Sequence, residues 1–150
     1  MGTTPLMKSN LYLTQTDTTI GFVSQDSTKI DQAKNRLSDK YYIRVVDSLK
    51  ILKTFTRVPQ EHKNRLRRSR RTTFIFPQGE SFRVVKGTKH NLLLNRVKWL
   101  YSSSANLSGA LYDEDYAKKM TEVMVSFPNV NSGKASKIYR LGHSRIKSIR

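Results

Sequence analysis

The segment of this chain whose side chains could best bind or act on a ligand is residues 102–109. It reads Ser-Ser-Ser-Ala-Asn-Leu-Ser-Gly and offers four hydroxyls and one amide. They follow a short, mostly apolar run at residues 97–101, which predicts a buried strand. Hydroxyl, amide and backbone donors at the end of a strand are typical of ligand sites in α/β proteins. A plain polar turn has the same composition, so this segment alone leaves both readings open.

Two further segments carry compatible chemistry. Residues 15–21 read Gln-Thr-Asp-Thr-Thr-Ile-Gly and also follow a strand-like run, at residues 11–13. Lys34-Asn35-Arg36 comes shortly afterwards. A site of cations, hydroxyls and amides suits adenylyl transfer, in which a protein mainly positions the reactants and stabilises charge.

Other kinds of catalysis have little support. The chain has no cysteine, which excludes disulfides, thiolate catalysis and cysteine zinc sites. Gly-rich phosphate loops and the G-x-S-x-G nucleophile motif do not occur, and the three histidines lack metal-ligand spacing. No apolar run approaches the roughly 18 residues that span a bilayer, and residues 1–10 lack a signal core. We therefore expect a cytoplasmic protein without a membrane partner.

The positive charge is large and clustered. The chain has 28 Lys and Arg residues against 11 acidic ones, a formal net charge of +17. Residues 57–71 and residues 134–150 each carry a net charge of +6. Such clusters favour RNA or nucleotide phosphates as partners, although a solubilising surface is the alternative. The candidate RNA-binding residues are Arg65, Arg67, Arg68, Arg70 and Arg71.

Strand-like and helix-like segments alternate along the chain, but hairpins interrupt the alternation. The clearest hairpin joins residues 72–76 to residues 81–85, and two closing strands are predicted at residues 136–141 and 145–149. Helices are predicted at residues 28–37, 47–55, 89–96 and 113–124, with a basic helix after Pro59. This order favours one α/β (α+β) domain over residues 1–150, with a twisted mixed sheet flanked by helices. Residues 1–6 are expected to be disordered or added during cloning.

The polar motifs occur in the order seen in a known family. The Thr-Asp-Thr segment that ends in Gly21, the Lys-x-Arg pair and the loop at residues 104–109 resemble the signatures of the threonylcarbamoyl-AMP synthase family, the YrdC-like domain. Weaker similarity extends to residues 72–77, 82–84 and 136–140. The resemblance implies a single YrdC-like domain with a concave basic face.

It also implies an activity. The family is a nucleotidyltransferase family that converts L-threonine, bicarbonate and ATP with Mg²⁺ into threonylcarbamoyl-AMP and pyrophosphate, without an organic prosthetic group. The product serves threonylcarbamoyl-adenosine modification of tRNA, which implies tRNA and a tRNA threonylcarbamoyl transferase as partners. The alternatives are a non-catalytic double-stranded RNA or tRNA-binding module of the same fold and a basic ribosome-associated factor without a small-molecule site.

The resemblance assigns roles to individual residues, in two groups. Those implied for ATP are Lys34, Arg36, Lys40, Thr73, Asn106, and either Arg140 or Arg150. Those implied for threonine are Thr16, Thr18, Arg83, Ser104 and Ser136, with the Arg83 guanidinium on the threonine carboxylate. The catalytic set would be Lys34, Arg36, Ser104 and Asn106. The alternatives are a solvated helix end for Lys34 and Arg36, a simple turn for Thr16 and Thr18, and an exposed strand arginine for Arg83.

Overall fold

The protein is represented by a computed structural model that describes residues 8–35, 42–106, 111–125 and 135–150. Within these ranges, nine strands form one mixed sheet in the order β7-β1-β2-β6-β3-β5-β4-β8-β9. The strands are β1 (Tyr12–Gln15), β2 (Ile20–Ser24), β3 (Ile43–Val46), β4 (Thr72–Ile75), β5 (Ser81–Val84), β6 (Trp99–Ser104), β7 (Val123–Val125), β8 (Lys137–Leu141) and β9 (Ile146–Ser148).

The described helices are short and flank this sheet. They are α1 (Ser27–Lys34), α2 (Leu49–Phe55), α3 (Lys63–Arg68), α4 (Asn91–Val97) and α5 (Glu114–Met120), with a 3-10 turn at Gln60–His62 before α3. Asp26 and Ser48 begin α1 and α2 by accepting hydrogen bonds from backbone amides, as their residue types favour. Three strand pairs are parallel and five are antiparallel, which confirms the predicted mixed α/β sheet.

The register of the strands assigns each side chain to one face of the sheet. Val45 of β3 is opposite Leu100 of β6, and both pack in one cluster with Leu94 of α4. Their neighbours along the strands, Val46 and Trp99, belong to the cluster beneath α2 and α3. Successive strand residues point to opposite faces, so α4 covers one face while α2 and α3 cover the other.

The same register carries the polar residues to the α4 face. Arg83 of β5 is opposite Val45, and Ser102 of β6 is opposite Ile43 and Val23. Both polar residues are buried, although they lie beyond the apolar cluster that α4 contacts. The sheet therefore presents an arginine and a row of hydroxyls beside its own core.

The predicted hairpin is confirmed, since β4 pairs antiparallel with β5. The two predicted closing strands are also present, as the antiparallel pair β8 and β9. The predicted helix at residues 113–124 was wrong at its end, because Val123–Val125 forms strand β7 parallel to β1. In the ranges described, no helix is long and apolar enough to cross a bilayer. Residues 1–6 lie outside the described residues.

Candidate functional site

A cleft of about 300 Å³ lies on the α4 face, and hydroxyl side chains dominate its walls. We call it the hydroxyl cleft. Its lining residues are Thr18, Thr19, Tyr42, Ile43, Arg83, Ser102, Ser103, Ser104, Ala135, Ser136 and Arg150. Six separate stretches of the chain therefore meet around one cavity, and five of the predicted site residues are in its walls.

The Thr-Asp-Thr segment forms a closed turn. The Thr16 hydroxyl donates to the backbone carbonyl of Thr19 at 2.7 Å and accepts from the backbone amide of Thr18 at 3.1 Å. The Gln15 amide donates to the carbonyls of Thr16 and Thr18, both at 3.2 Å. Thr16 and Thr18 are buried, but only Thr18 is among the residues that line the hydroxyl cleft. Thr16 thus holds the turn that presents Thr18.

Gly21 allows this turn to approach β6. A Cβ atom at Gly21 would lie 2.9 Å from the Ser103 backbone oxygen and 3.2 Å from the Thr16 methyl carbon. Because one of these neighbours is backbone, Gly21→Ala should destabilise the protein by about 1–3 kcal/mol, measured by urea unfolding. Gly142→Ala is the control, since the nearest atom there is 3.8 Å from the added Cβ. Equal losses for both variants would contradict the close-approach argument.

Asp17 and Arg83 form a buried ion pair at the edge of the cleft. Arg83 Nε donates to both Asp17 carboxylate oxygens, at 3.1 and 3.0 Å. The two side chains are 3% and 4% exposed, respectively, so the alternative of an exposed strand arginine is wrong. Arg83 Nη1 lies 3.4 Å from the Thr73 hydroxyl, which hydrogen-bonds the Ser136 hydroxyl at 2.8 Å. One polar chain therefore connects Asp17, Arg83, Thr73 and Ser136.

Lys34 is the last residue of α1 and is buried against the loop that follows β6. Its Nζ donates to the carbonyls of Ser104 and Asn106, at 2.7 and 2.9 Å, and lies 3.4 Å from Asn106 Oδ1. Lys34 is only 2% exposed, so the alternative of a solvated helix end is wrong for this residue. Its ammonium fixes the end of the Ser-x-Asn segment. Arg36 and Lys40 lie outside the described residues.

Arg140 and Arg150, the two alternatives for a nucleotide contact, lie in different environments. Arg150 lines the hydroxyl cleft, and its Nε donates to the Ser136 carbonyl at 3.0 Å. Arg140 is exposed on β8 and is not among the lining residues. Arg150 is therefore the better placed of the two for a ligand in this cleft.

Sequence reasoning missed two contributors to the site. Tyr42 lines the cleft, and its hydroxyl donates to the Asp31 carboxylate of α1 at 2.5 Å. His90 is buried, and the charges of Asp17 and Arg83 are close enough to influence its pKa. The sequence of residues 41–46, which is rich in aromatic and β-branched side chains, predicts a strand that includes Tyr42, but it does not indicate a ligand site. The place of His90 depends on long-range packing.

His90 provides a pH test of this region. Neither of its ring nitrogens has a hydrogen-bond partner among the residues described, and burial lowers the pKa of His90 from 6.5 to about 4. In the unfolded chain His90 binds a proton below about pH 6.5, whereas in the folded chain it stays neutral down to about pH 4. The free energy of unfolding therefore decreases as the pH is lowered from about 6.5 to about 4.

We expect this histidine to account for about 3 kcal/mol of the stability lost on acidification. Urea unfolding at about pH 7 and about pH 4.5 should show a smaller acid loss for His90→Gln than for the unchanged protein. His143→Gln is the control because His143 is exposed. If His90→Gln and the unchanged protein lost the same stability, the burial of a neutral imidazole would be refuted.

The predicted RNA-binding arginines are grouped and exposed. Arg65, Arg67 and Arg68 belong to α3, while Arg70 and Arg71 form the turn before β4. Arg65 Nη1 lies 2.8 Å from His62 Nδ1, and Arg67 Nη1 donates to the Asn64 side chain at 3.1 Å. None of these five arginines is among the residues that line the hydroxyl cleft.

Comparison with solved structures identifies the fold. No family model matches the chain, and no curated protein matches its sequence. A P. abyssi Sua5 structure complexed with L-threonine superimposes with a TM-score of 0.79 over 94% of this chain, at 18% identity. The chain spans 50% of that Sua5 protein, about half its length.

Two other similar structures come from different proteins. E. coli YciO has a TM-score of 0.73 and 14% identity, with 95% of this chain and 83% of YciO covered. T. kodakarensis HypF has a TM-score of 0.72 and 15% identity, with 95% of this chain but 22% of HypF covered. The chain therefore has the YrdC-like fold, which it shares with these Sua5, YciO and HypF structures and which its motifs predicted.

Proposed function

We propose that this chain is an L-threonylcarbamoyladenylate synthase that converts L-threonine, bicarbonate and ATP into threonylcarbamoyl-AMP and pyrophosphate. The observation that carries this proposal is the convergence of distant polar segments on the hydroxyl cleft. Thr18, Ser104, Ser136 and Arg83 all line it, and Lys34 fixes the loop beside it. These groups offer positioning and charge stabilisation, which is what adenylyl transfer requires of a protein.

Arg83 is the proposed partner of the threonine carboxylate. The Asp17 carboxylate accepts hydrogen bonds from Arg83 Nε and so orients the guanidinium. The terminal Nη atoms are then the donors that can contact a ligand. Arginine suits this role because its planar fork matches the two oxygens of a carboxylate. Asp17 therefore acts as a positioning residue, through Arg83.

The proposed reaction has two steps. The threonine amine attacks the carbon of bicarbonate, and loss of water gives the carbamate. A carbamate oxygen then attacks the α-phosphorus of ATP, and pyrophosphate leaves. Arg150 and the Ser104 hydroxyl, both in the cleft wall, are the groups placed to stabilise the charge on the phosphate.

Magnesium would act with the substrate. Mg²⁺ neutralises triphosphate charge when ATP is bound, and it accepts phosphate oxygens and water as ligands. Among the described residues, no group of three or more His, Cys, Asp or Glu side chains could hold a metal. We therefore propose that the nucleotide would carry the metal, with phosphate oxygens and water as its ligands.

The similar structures support the substrate assignment. The P. abyssi Sua5 structure with L-threonine has the same fold over 94% of this chain. We extend threonine to this chain on that basis, and we propose tRNA and a tRNA threonylcarbamoyl transferase as downstream partners. The chain spans about half the length of that Sua5 protein. These downstream partners are therefore proposed from the activity assigned to the hydroxyl cleft.

Calorimetric titration with amino acids tests the proposal. L-threonine should bind in the presence of a non-hydrolysable ATP analogue, and L-valine, its isostere without the hydroxyl, should bind about tenfold or more weakly. Arg83→Gln should remove binding, whereas Arg96→Gln should not, because Arg96 is exposed on α4. Equal affinity for threonine and valine would count against a threonine site.

Double-stranded RNA or tRNA binding is the second candidate function. The observation that favours it is the exposed group of Arg65, Arg67, Arg68, Arg70 and Arg71. Phosphate contacts should make binding fall steeply with salt, and neutralising the group should weaken binding for every RNA sequence alike. Binding that is insensitive to salt would exclude this candidate.

A further inference from the structure

A second cleft, of about 390 Å³, adjoins the Asp17–Arg83 pair. We call it the arginine cleft. Asp17 lines it, whereas its partner Arg83 lines the hydroxyl cleft, so the buried ion pair lies between the two cavities. Its volume is within the range of small-ligand pockets, and the apolar side chains of Val84 and Val85 form part of its wall.

The charge of the arginine cleft is unbalanced. Five cationic side chains line it, from two separate segments: Arg67, Arg68, Arg70, Arg71 and Lys86. Asp17 is the one acid among the described lining residues, and its two carboxylate oxygens already accept hydrogen bonds from Arg83. A concave surface lined by one sign of charge concentrates counter-ions, so this cleft should attract an anion.

We propose that the arginine cleft binds a compact oligophosphate, either free pyrophosphate or the phosphate tail of a nucleotide. Arginine binds phosphate oxygens bidentately, and cations on more than one segment can contact adjacent phosphate groups together. A concave site can surround a compact anion with cations from two segments, whereas the phosphates of a duplex are spread along an extended backbone. This binding does not depend on threonine or on synthesis, so it goes beyond the proposed function.

A calorimetric titration of the protein with pyrophosphate, in the absence of threonine, tests the inference. The protein should bind one pyrophosphate, and the double variant Arg70→Gln/Lys86→Gln should bind it about tenfold or more weakly. The control Lys50→Gln/Arg96→Gln removes the same charge from exposed positions on α2 and α4 and should change affinity by no more than about twofold. All four positions are exposed, and a thermal melt verifies that both variants fold.

Two further titrations identify the source of the phosphates. If ATP binds at least as tightly as pyrophosphate and the cleft variant weakens both, the site takes a nucleotide tail. If pyrophosphate binds more tightly than ATP, the site takes the free anion. The inference is overturned if pyrophosphate does not bind, if the control variant weakens binding equally, or if the arginines bind duplex RNA that pyrophosphate cannot displace.

Discussion

Replacing Lys34 with methionine is expected to reduce threonylcarbamoyl-AMP synthesis by about 100-fold or more and to lower the free energy of unfolding by about 3 kcal/mol. The Lys34 ammonium donates to the carbonyls of Ser104 and Asn106 from a position that is 2% exposed. Methionine has a similar length but no donor, so these carbonyls would lose a charge-assisted hydrogen bond. The end of β6, where Ser104 lies, would then lose its fixed position beside the cleft.

Lys29→Met is the matched control for this prediction. Lys29 belongs to the same helix, but its ion pair with Glu122 is partly exposed, with side-chain exposures of 31% and 46%. Such a solvent-exposed pair contributes little to stability. Urea unfolding and synthesis rates should therefore separate the two variants. A Lys34→Met protein with unchanged stability and rate would show that Lys34 does not fix the loop.

Replacing Asp17 with asparagine should have the second large effect. It would leave the buried Arg83 guanidinium without its carboxylate, at a cost of about 3–5 kcal/mol. The KM for threonine should rise, because Arg83 would no longer be oriented towards the threonine carboxylate. Glu80→Gln is the control, since Glu80 is 38% exposed in its ion pair with Arg44, and it should cost about 1 kcal/mol or less.

A double-mutant cycle separates the ion pair from a general loss of packing. Asp17→Asn and Arg83→Gln together should cost clearly less than the sum of the two single losses, because each single variant leaves its partner uncompensated. The cycle is measured by urea unfolding, and threonine affinity is measured alongside it. Additive losses in stability would mean that the two side chains act independently.

The elements that the sequence predicted best are those with local signals. The hairpin of β4 and β5 follows from β-branched and aromatic runs around the Pro77-to-Glu80 turn, where Gly79 takes a φ of 94°. The end of α5 could not be predicted in this way. Val123 and Met124 continue the helical spacing, but pairing with β1 takes them into a strand. Tertiary pairing overrode the local pattern there.

In the candidate site, too, features with a local sequence signal could be predicted, whereas features that depend on long-range contacts could not. The hydroxyl segments could be found because their composition is local, and the structure brings Thr18, Ser104 and Ser136 to one cavity. The Asp17–Arg83 pair joins residues 66 positions apart, so no spacing rule reveals it. The burial of Lys34 is equally non-local, because its acceptors lie 70 and 72 positions away.

The most direct test of the account is pyrophosphate release from ATP, measured with threonine and bicarbonate each present or omitted. Pyrophosphate release is expected only when both are present, together with a threonylcarbamoyl-AMP product that carries the isotope of labelled bicarbonate. Asp17→Asn should slow this release, whereas Glu80→Gln should leave it nearly unchanged. Release that continues without threonine, or a product without the bicarbonate label, would contradict the assignment of the hydroxyl cleft as a threonylcarbamoyl-AMP synthase site.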